Sequence, residues 1–193
     1  MERLTIISPR TFFVTWAILL SLIMWAGWGT VGLFGGSGLV LGGLLTWTLF
    51  EYAMHRFVFH LRSNSRIGQS LGFLMHGNHH VDPNDPYRNM MPLVVSIPWV
   101  AGLTGMAVWL LGTKALIFMA GFTAGYVIYD TVHYACHQLP LRGGLMGALR
   151  RHHLRHHYAG KDGNYAITAI FWDRLFRSYL PAKGIHARSD IPS

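Results

Sequence analysis

The sequence predicts an all-α integral membrane protein with four transmembrane helices and a small helical cap on one membrane face. Long apolar segments, a one-sided distribution of basic residues and clustered histidines lead to this prediction. Hydrophobic residues make up 51% of the 193 residues and charged residues only 12%. Mean hydropathy is +0.30. Such a composition is unusual for a soluble domain.

Four apolar segments are long enough to cross a bilayer, which takes about 20 residues at about 1.5 Å each. They cover about 12–34, 39–57, 93–111 and 115–135. We expect GGSG at 35–38 to form the turn after the first segment and Gly112-Thr113-Lys114 the turn after the third. The first segment is too long for the apolar core of a signal peptide and precedes no clear cleavage site, so a retained helix is expected.

Basic residues predict the orientation. Of the 16 lysines and arginines, only Lys114 falls on the side of those two turns. The positive-inside rule therefore places both termini in the cytoplasm. The net charge of +8 is a topology and lipid-surface signal. No soluble basic domain is evident, so no nucleic-acid partner is expected. Residues 1–193 are predicted to form a single domain, with a cytoplasmic cap over 58–92 and 136–180 and a polar tail over 181–193.

Ten of the 12 histidines fall into four clusters, all on the predicted cytoplasmic side. The clusters are His55 and His60; His76, His79 and His80; His133 and His137; and His153, His156 and His157. Imidazole suits iron, zinc and copper, and one ion takes three or four protein ligands. Ten ligands suit two adjacent ions. The cap is therefore predicted to hold a histidine-rich dimetal site.

The spacing within the clusters adds geometry. His133 and His137 share one helix face at i and i+4, and the two triplets converge on one face at i, i+3 and i+4. His55 and His60 are rotated by about 140° on an α-helix, so the helix is expected to end or bend between them. We expect His152, beside His153, and His186, in the tail, to be bystanders.

Glu51 and Asp130 are the acidic residues that lie well within the apolar segments. They precede His55 and His133 by four and three residues, which places each on the helix face of its histidine. Metal-bound imidazoles commonly donate their second N–H to a carboxylate. Both residues are therefore predicted to orient these histidines. A purely structural interhelical hydrogen bond is the alternative.

Four ordered motifs carry a family resemblance: FEYAMHRFVFH, HGNHHVDPNDPYRNMMP, YDTVHYACH and HHLRHHYAGKDGNYAITAIFWDRLF. They resemble the fatty acid hydroxylase superfamily, with the fatty acid 2-hydroxylase branch as the best match, over about Phe50 to Phe176. The resemblance implies that the ten clustered histidines bind two metal ions. It implies iron in function, with zinc possible in purified protein, and O2-dependent hydroxylation at or near C2 of a fatty acyl chain.

The chain departs from its relatives in two ways. It carries no motif of the cytochrome b5 domain that eukaryotic relatives often have. Electrons are therefore expected from a separate cytochrome b5-type or ferredoxin-type protein and a reductase. Asn89, Met90 and Met91 stand where relatives tend to be more aliphatic or proline-rich, so the lipid substrate stays open. About a third of the nearby methionines and aromatic residues are expected to line the acyl route: Met54, Phe57, Met75, Met90, Met91, Phe171 and Trp172.

Other functions stay open on the same residues. A desaturase or a sterol- or carotenoid-type oxidase would use the same metal site. A non-enzymatic metal-binding membrane protein or transporter would need polar groups along a crossing path, and the outer halves of the apolar segments offer almost none. A hydrolytic di-zinc enzyme normally has a bridging carboxylate, and carboxylates are scarce among the candidate ligands. Cys136 is the sole cysteine, so no disulfide forms within the chain, and nothing indicates a catalytic thiol.

Overall fold

A computed structural model describes residues 6–61 and 63–182, and His186 lies outside them. The described residues form α-helices and two π-helical segments, and no strand. Four helices are long and apolar enough to cross a membrane. They are α1 (Pro9–Gly27), α2 (Leu33–Ala53) with its continuation π1 (Met54–Phe59), α5 (Leu93–Leu111) and α6 (Ala115–Gln138). The predicted fold class is confirmed, and the helices mark a multi-pass membrane protein.

Helix α6 is the centre of the bundle, because α1, α2 and α5 all pack against it. In the most apolar stretch of α6, 61% of the residues are buried, whereas in those of the other three helices at most 17% are buried. The outer helices leave large apolar side chains uncovered, including Phe34 at 94% and Trp109 at 80% exposure. Exposed apolar surface of this extent is suited to lipid rather than to water.

Two glycines bring α2 and α6 into backbone contact. A Cβ atom at Gly43 would collide with the carbonyl of Phe118, and one at Gly121 with the carbonyl of Val40. Small residues allow this close approach between membrane helices. Beside the contact, the ring of Trp47 packs edge-on against the ring of Phe122 at a centroid distance of 5.0 Å. The close approach thus sets the spacing of the two helices that carry half of the clusters.

The first turn differs from its prediction. α1 ends at Gly27 rather than near 34, and GGSG at 35–38 lies inside α2. The chain reverses at 28–32, where Gly29 has a φ of +78°. Glycine adopts positive φ without steric cost, and it is also tolerated within membrane helices. A glycine run therefore did not locate the turn. α5 coincides with the predicted 93–111, and α6 runs three residues past 135, to Gln138.

The cap follows π1 and α6 at one end of the bundle. Its first part contains α3 (Arg66–Gly72), the second π-helical segment π2 (Phe73–Gly77) and α4 (Asn78–Val81). Its second part contains α7 (Gly144–Tyr158) and α8 (Phe171–Leu175). α7 packs against α6, and π2 against π1. This arrangement brings all four histidine clusters to one end of the molecule.

Candidate metal centre

A π-helix brings His55 and His60 to the same side of the chain. Its hydrogen bonds join residues five apart instead of four, so residues at this spacing lie nearly above one another. The two rings are 5.1 Å apart between centroids. The helix ends between them, as predicted: π1 stops at Phe59, and His60 is the residue that follows it. His76 lies in the second π-helical segment, π2.

The ten clustered histidines form two groups of five. In each group, one ring nitrogen per residue lies within 4.8 Å of all the others. Group 1 contains His55, His60, His76, His80 and His156, and group 2 contains His79, His133, His137, His153 and His157. The groups are adjacent, because the rings of His80 and His157 are 4.3 Å apart between centroids.

The nitrogen spacing fits a shared metal ion. Within each group, neighbouring Nε2 atoms are 2.8–3.2 Å apart. Zinc–imidazole bonds are about 2.0–2.1 Å long, so two nitrogens on one ion at about 90–110° are about 2.9–3.4 Å apart. Five converging ring nitrogens cannot satisfy one another by hydrogen bonds, since a neutral imidazole has only one N–H. The donor set therefore suits a cation at the centre of each group.

Backbone carbonyls select the ring nitrogen that faces each centre. His55 Nδ1 lies 2.5 Å from the carbonyl oxygen of Tyr165. His133 Nδ1 lies 2.7 Å from that of Asn89, and His156 Nδ1 lies 2.8 Å from that of Gly163. A carbonyl only accepts, so each Nδ1 carries the proton and donates. The lone pair of Nε2 is then free to bind a metal.

Each histidine triplet contributes to both groups. His76 and His80 belong to group 1, whereas His79 belongs to group 2. On α7, His153 and His157 belong to group 2 and His156 to group 1. Adjacent helical residues point about 100° apart, so an i+3 and an i+4 side chain diverge enough to face two centres. Each triplet was predicted to converge on one helix face. Its side chains instead point in two adjacent directions, one toward each group.

Burial keeps the cap histidines neutral. It lowers the pKa of His76, His79 and His153 well below the ordinary value, and neighbouring histidines lower it further. Burial likewise lowers the pKa of His80 to about 3, with His60 adding to the shift. These rings hold no second proton near neutral pH. Their lone pairs are available to a cation without prior deprotonation.

Glu51 and Asp130 do not contact the histidines that they were predicted to orient. Glu51 accepts the backbone N–H groups of Ile167 at 3.1 Å and Thr168 at 2.8 Å. Asp130 accepts the N–H of Met91 at 2.9 Å and the hydroxyl of Tyr126 at 3.0 Å. Glu51 thus anchors the backbone segment in which the carbonyl of Tyr165 accepts from His55. Asp130 anchors the segment in which the carbonyl of Asn89 accepts from His133. Their effect on the histidines is exerted through the backbone.

Sequence reasoning missed Asp173. This fully buried carboxylate accepts the N–H of Tyr165 at 2.9 Å and of Ala166 at 2.8 Å. Its Oδ2 also lies 2.9 Å from Nε2 of His152. His152 belongs to neither histidine group, yet it is buried rather than interfacial. The available signal was a lone acid inside the apolar run ITAIFWDRLF.

An apolar cavity lies between α2, α5 and α6. A smaller cavity shares Met75, Met91 and Tyr129 with it and reaches His76 and His133. The apolar space thus leads to the histidines. Four of the predicted route residues line these cavities: Met54 lines the larger one, Met90 the smaller one, and Met75 and Met91 line both.

The other three predicted route residues line neither cavity. Phe57 is 60% exposed and Phe171 is 58% exposed. The indole N–H of Trp172 donates to the hydroxyl of Thr48 at 3.0 Å, so Trp172 joins α8 to α2.

Known proteins resemble both the sequence and the fold. Residues 40–178 match the family model for fatty acid hydroxylase. The dihydroceramide fatty acyl 2-hydroxylase FAH2 of Arabidopsis thaliana is 36% identical over 146 residues, which cover 72% of this chain and 60% of that protein. The human fatty acid 2-hydroxylase is 36% identical over 151 residues, covering 76% of this chain and 40% of that protein.

A solved structure described as full-length scs7p, with only its hydroxylase domain visible, has a TM-score of 0.86 and 33% identity. The match covers 94% of this chain and 70% of that one. The chain spans about half the length of the curated relatives it matches. Because the family model extends over most of the chain, this protein belongs to the fatty acid hydroxylase family.

Proposed function

We propose that the protein is an O2-dependent lipid hydroxylase with two iron ions, which inserts a hydroxyl group at or near C2 of a fatty acyl chain. The observation that carries the proposal is an apolar cavity that leads to two converging groups of histidines. Relatives named as fatty acid 2-hydroxylases support the reaction class. The ten grouped histidines are the proposed ligands.

The chemistry accounts for both features. A hydrocarbon C–H bond has no polar group on which acid or base catalysis can act. When bound, two iron ions would supply the oxidising chemistry, with O2 as the oxidant and two electrons from a donor. The balanced reaction converts R–H, O2, two electrons and two protons into R–OH and water. The residues of the chain have the complementary task, which is to hold one carbon beside the histidine groups and exclude competing positions.

Apolar side chains hold the acyl chain in this proposal. Trp99, Val100 and Leu103 on α5 face Trp47 and Phe122 across the larger cavity. Met75 and Met91 lie where the cavity meets the histidines. Their flexible side chains would adapt to the shape of the acyl chain. The acyl tail would lie among the membrane helices and its carboxyl end toward the cap.

The basic residues support a cytoplasmic location for the cap and both termini. In that orientation, the lipid reaches the site from the membrane and electrons arrive from the cytosol. A separate electron-transfer protein of cytochrome b5 or ferredoxin type, with a reductase, would supply them. Zinc could replace iron during purification, because imidazole sites bind both ions.

The activity is tested by incubating membranes that contain the protein with acyl lipids, ¹⁸O2 and a reducing system. We expect a product that has gained one labelled oxygen atom on the acyl chain. A product that has lost two hydrogens instead would assign the desaturase alternative. Failure to convert any lipid class, with metal and reductant present, would contradict the proposal.

Filling the cavity should separate substrate binding from metal binding. Val100 lies on the cavity wall and is 8% exposed. We expect Val100→Trp to lower the turnover of long acyl chains by about tenfold or more, because the indole takes the space of several methylenes. Metal content should stay unchanged. The control is Val94→Trp on the same helix, where the side chain is 54% exposed. Equal losses in both variants would contradict the assignment of the cavity.

Metal removal should weaken the fold. An ion that binds only the folded state stabilises it by about 3 kcal/mol at 100 times its dissociation constant, which corresponds to about 5–10 °C in melting temperature for a chain of this size. We expect chelator-treated protein in detergent to melt lower by that amount, and added iron or zinc to restore the original value. A melting temperature that is the same with and without metal would argue against ion binding by the histidine groups.

A further inference from the structure

The 163–168 segment is held by two buried carboxylates. It forms no helix or strand, yet four consecutive backbone N–H groups, those of residues 165–168, have partners. Asp173 accepts the first two at 2.9 and 2.8 Å, and Glu51 accepts the second two at 3.1 and 2.8 Å. Because hydrogen bonds to a carboxylate are stronger than those between neutral groups, these four bonds determine where the segment lies.

The carbonyls of the same segment orient group 1. Gly163 and Tyr165 accept from Nδ1 of His156 and His55, at 2.8 and 2.5 Å. Both histidines belong to group 1. Among the described residues, every hydrogen bond between this segment and a grouped histidine goes to group 1. A shift of the segment would therefore rotate two rings of one group and none of the other.

Group 2 depends on a different segment. The backbone carbonyl of Asn89 accepts from Nδ1 of His133 at 2.7 Å, and the side-chain amide of Asn89 lies 3.1 Å from Nδ1 of His79. Two residues later, the N–H of Met91 donates to Asp130 at 2.9 Å. Each histidine group thus has its own backbone segment: Asp173 and Glu51 hold the segment of group 1, and Asp130 holds the segment of group 2.

Asp173 also contacts His152 on α7 and Ser178. Oδ2 lies 2.9 Å from Nε2 of His152, and Oδ1 accepts the hydroxyl of Ser178 at 2.8 Å. The backbone carbonyl of His152 accepts the side-chain amide of Asn164 at 3.0 Å. His152 therefore connects α7 to the 163–168 segment both through Asp173 and directly.

We propose that Asp173 and His152 are positioning residues for group 1 alone, and that the two metal ions are held by separable carboxylate-anchored segments. The proposal rests on the dimetal function proposed above. Loss of the Asp173 carboxylate should release the ion of group 1 and leave that of group 2. Loss of the Asp130 carboxylate should do the reverse.

The test measures metal per chain and metal position in the purified, metal-loaded protein. Elemental analysis should give two ions for the wild type and about one for both Asp173→Asn and Asp130→Asn. Anomalous scattering from crystals should place the remaining ion in group 2 for the first variant and in group 1 for the second. Asp162→Asn is the matched control, because this exposed carboxylate next to the segment makes no hydrogen bond within the described part of the chain. It should keep two ions.

The outcomes are distinguishable. Fewer than two ions in the wild type would contradict the dimetal function itself, before any variant is compared. Two ions in the wild type, with Asp173→Asn losing both or keeping both, would overturn the proposal that the segments act separately. Loss of the group 2 ion from Asp173→Asn would overturn it as well.

Milder variants keep the proposal testable if Asp173→Asn does not fold. Ser178→Ala removes one donor to Asp173, and His152→Ala removes another. We expect a chelator to extract one of the two ions up to about tenfold faster from each variant, and the other at the wild-type rate. His152→Gln, which keeps an N–H donor, should restore slow release. Equal acceleration of both ions, or failure of Gln to differ from Ala, would overturn the proposal.

Discussion

Replacing His156 with alanine is expected to lower the rate of hydroxylation by more than about 100-fold. The variant should also lose one ion while the other stays bound. Nε2 of His156 lies 3.0 Å from that of His55, 3.1 Å from that of His60 and 3.2 Å from that of His80. It is therefore the common neighbour of three other group 1 nitrogens. Elemental analysis and lipid mass spectrometry of the purified variant measure the two effects.

Double variants decide to which group His156 belongs. Adding His55→Ala to His156→Ala should cause no further loss of metal, because both residues belong to group 1. Adding His153→Ala should remove the second ion, although His153 lies on the same helix as His156 and only three residues away. If the pair on α7 loses one ion and the pair with His55 loses two, the partition into groups is wrong.

A methyl group at Gly43 is expected to destabilise the protein by about 3 kcal/mol or more, at the upper end for overpacked cores. The added Cβ would meet the carbonyl of Phe118 and lie 2.6 Å from the backbone nitrogen of Phe122. Both obstacles are backbone atoms of α6, so no side-chain rotation relieves them. α2 and α6 would have to separate, and with them the histidines that they carry.

Gly38→Ala is the matched control for Gly43→Ala. The same helix carries both glycines, but a Cβ at Gly38 meets no atom within 4 Å. Alanine has the higher helix propensity, so this control should be neutral or stabilising by up to about 1 kcal/mol. Thermal unfolding in detergent, followed by gel filtration for folded yield, compares the two variants. Similar melting temperatures would contradict the importance of the close approach.

The sequence predicted the features that depend on local composition and periodicity. Hydropathy over about 20 residues located four apolar helices, and α5 was predicted with its observed ends. The family was recognised from four ordered motifs and is confirmed by the match over residues 40–178. The ten ligands remain a prediction, although the structure brings all of them together. Composition did not predict that GGSG is helical, because glycine occurs both in turns and in membrane helices.

Tertiary structure decided which partner each polar group meets. Glu51 and Asp130 lie on the predicted helix faces, but the backbone N–H groups of Thr168 and Met91 occupy their oxygens. A backbone donor more than 100 residues away along the chain, as for Glu51, leaves no trace in local spacing. Asp173 escaped prediction for the same reason, because its partners are N–H groups that every residue possesses.

The set of clustered histidines could therefore be predicted from the sequence, whereas their division into two groups could not. Spacing states only that His76 and His80 lie one helical turn apart and that His79 points about 100° away from His80. Whether that angle is enough to reach a second centre depends on where α4 and α7 lie relative to π1 and α6. The close contact of α2 with α6 and the two carboxylate-anchored segments set those positions. Sequence specified the donors, and packing between distant elements assigned each donor to its ion.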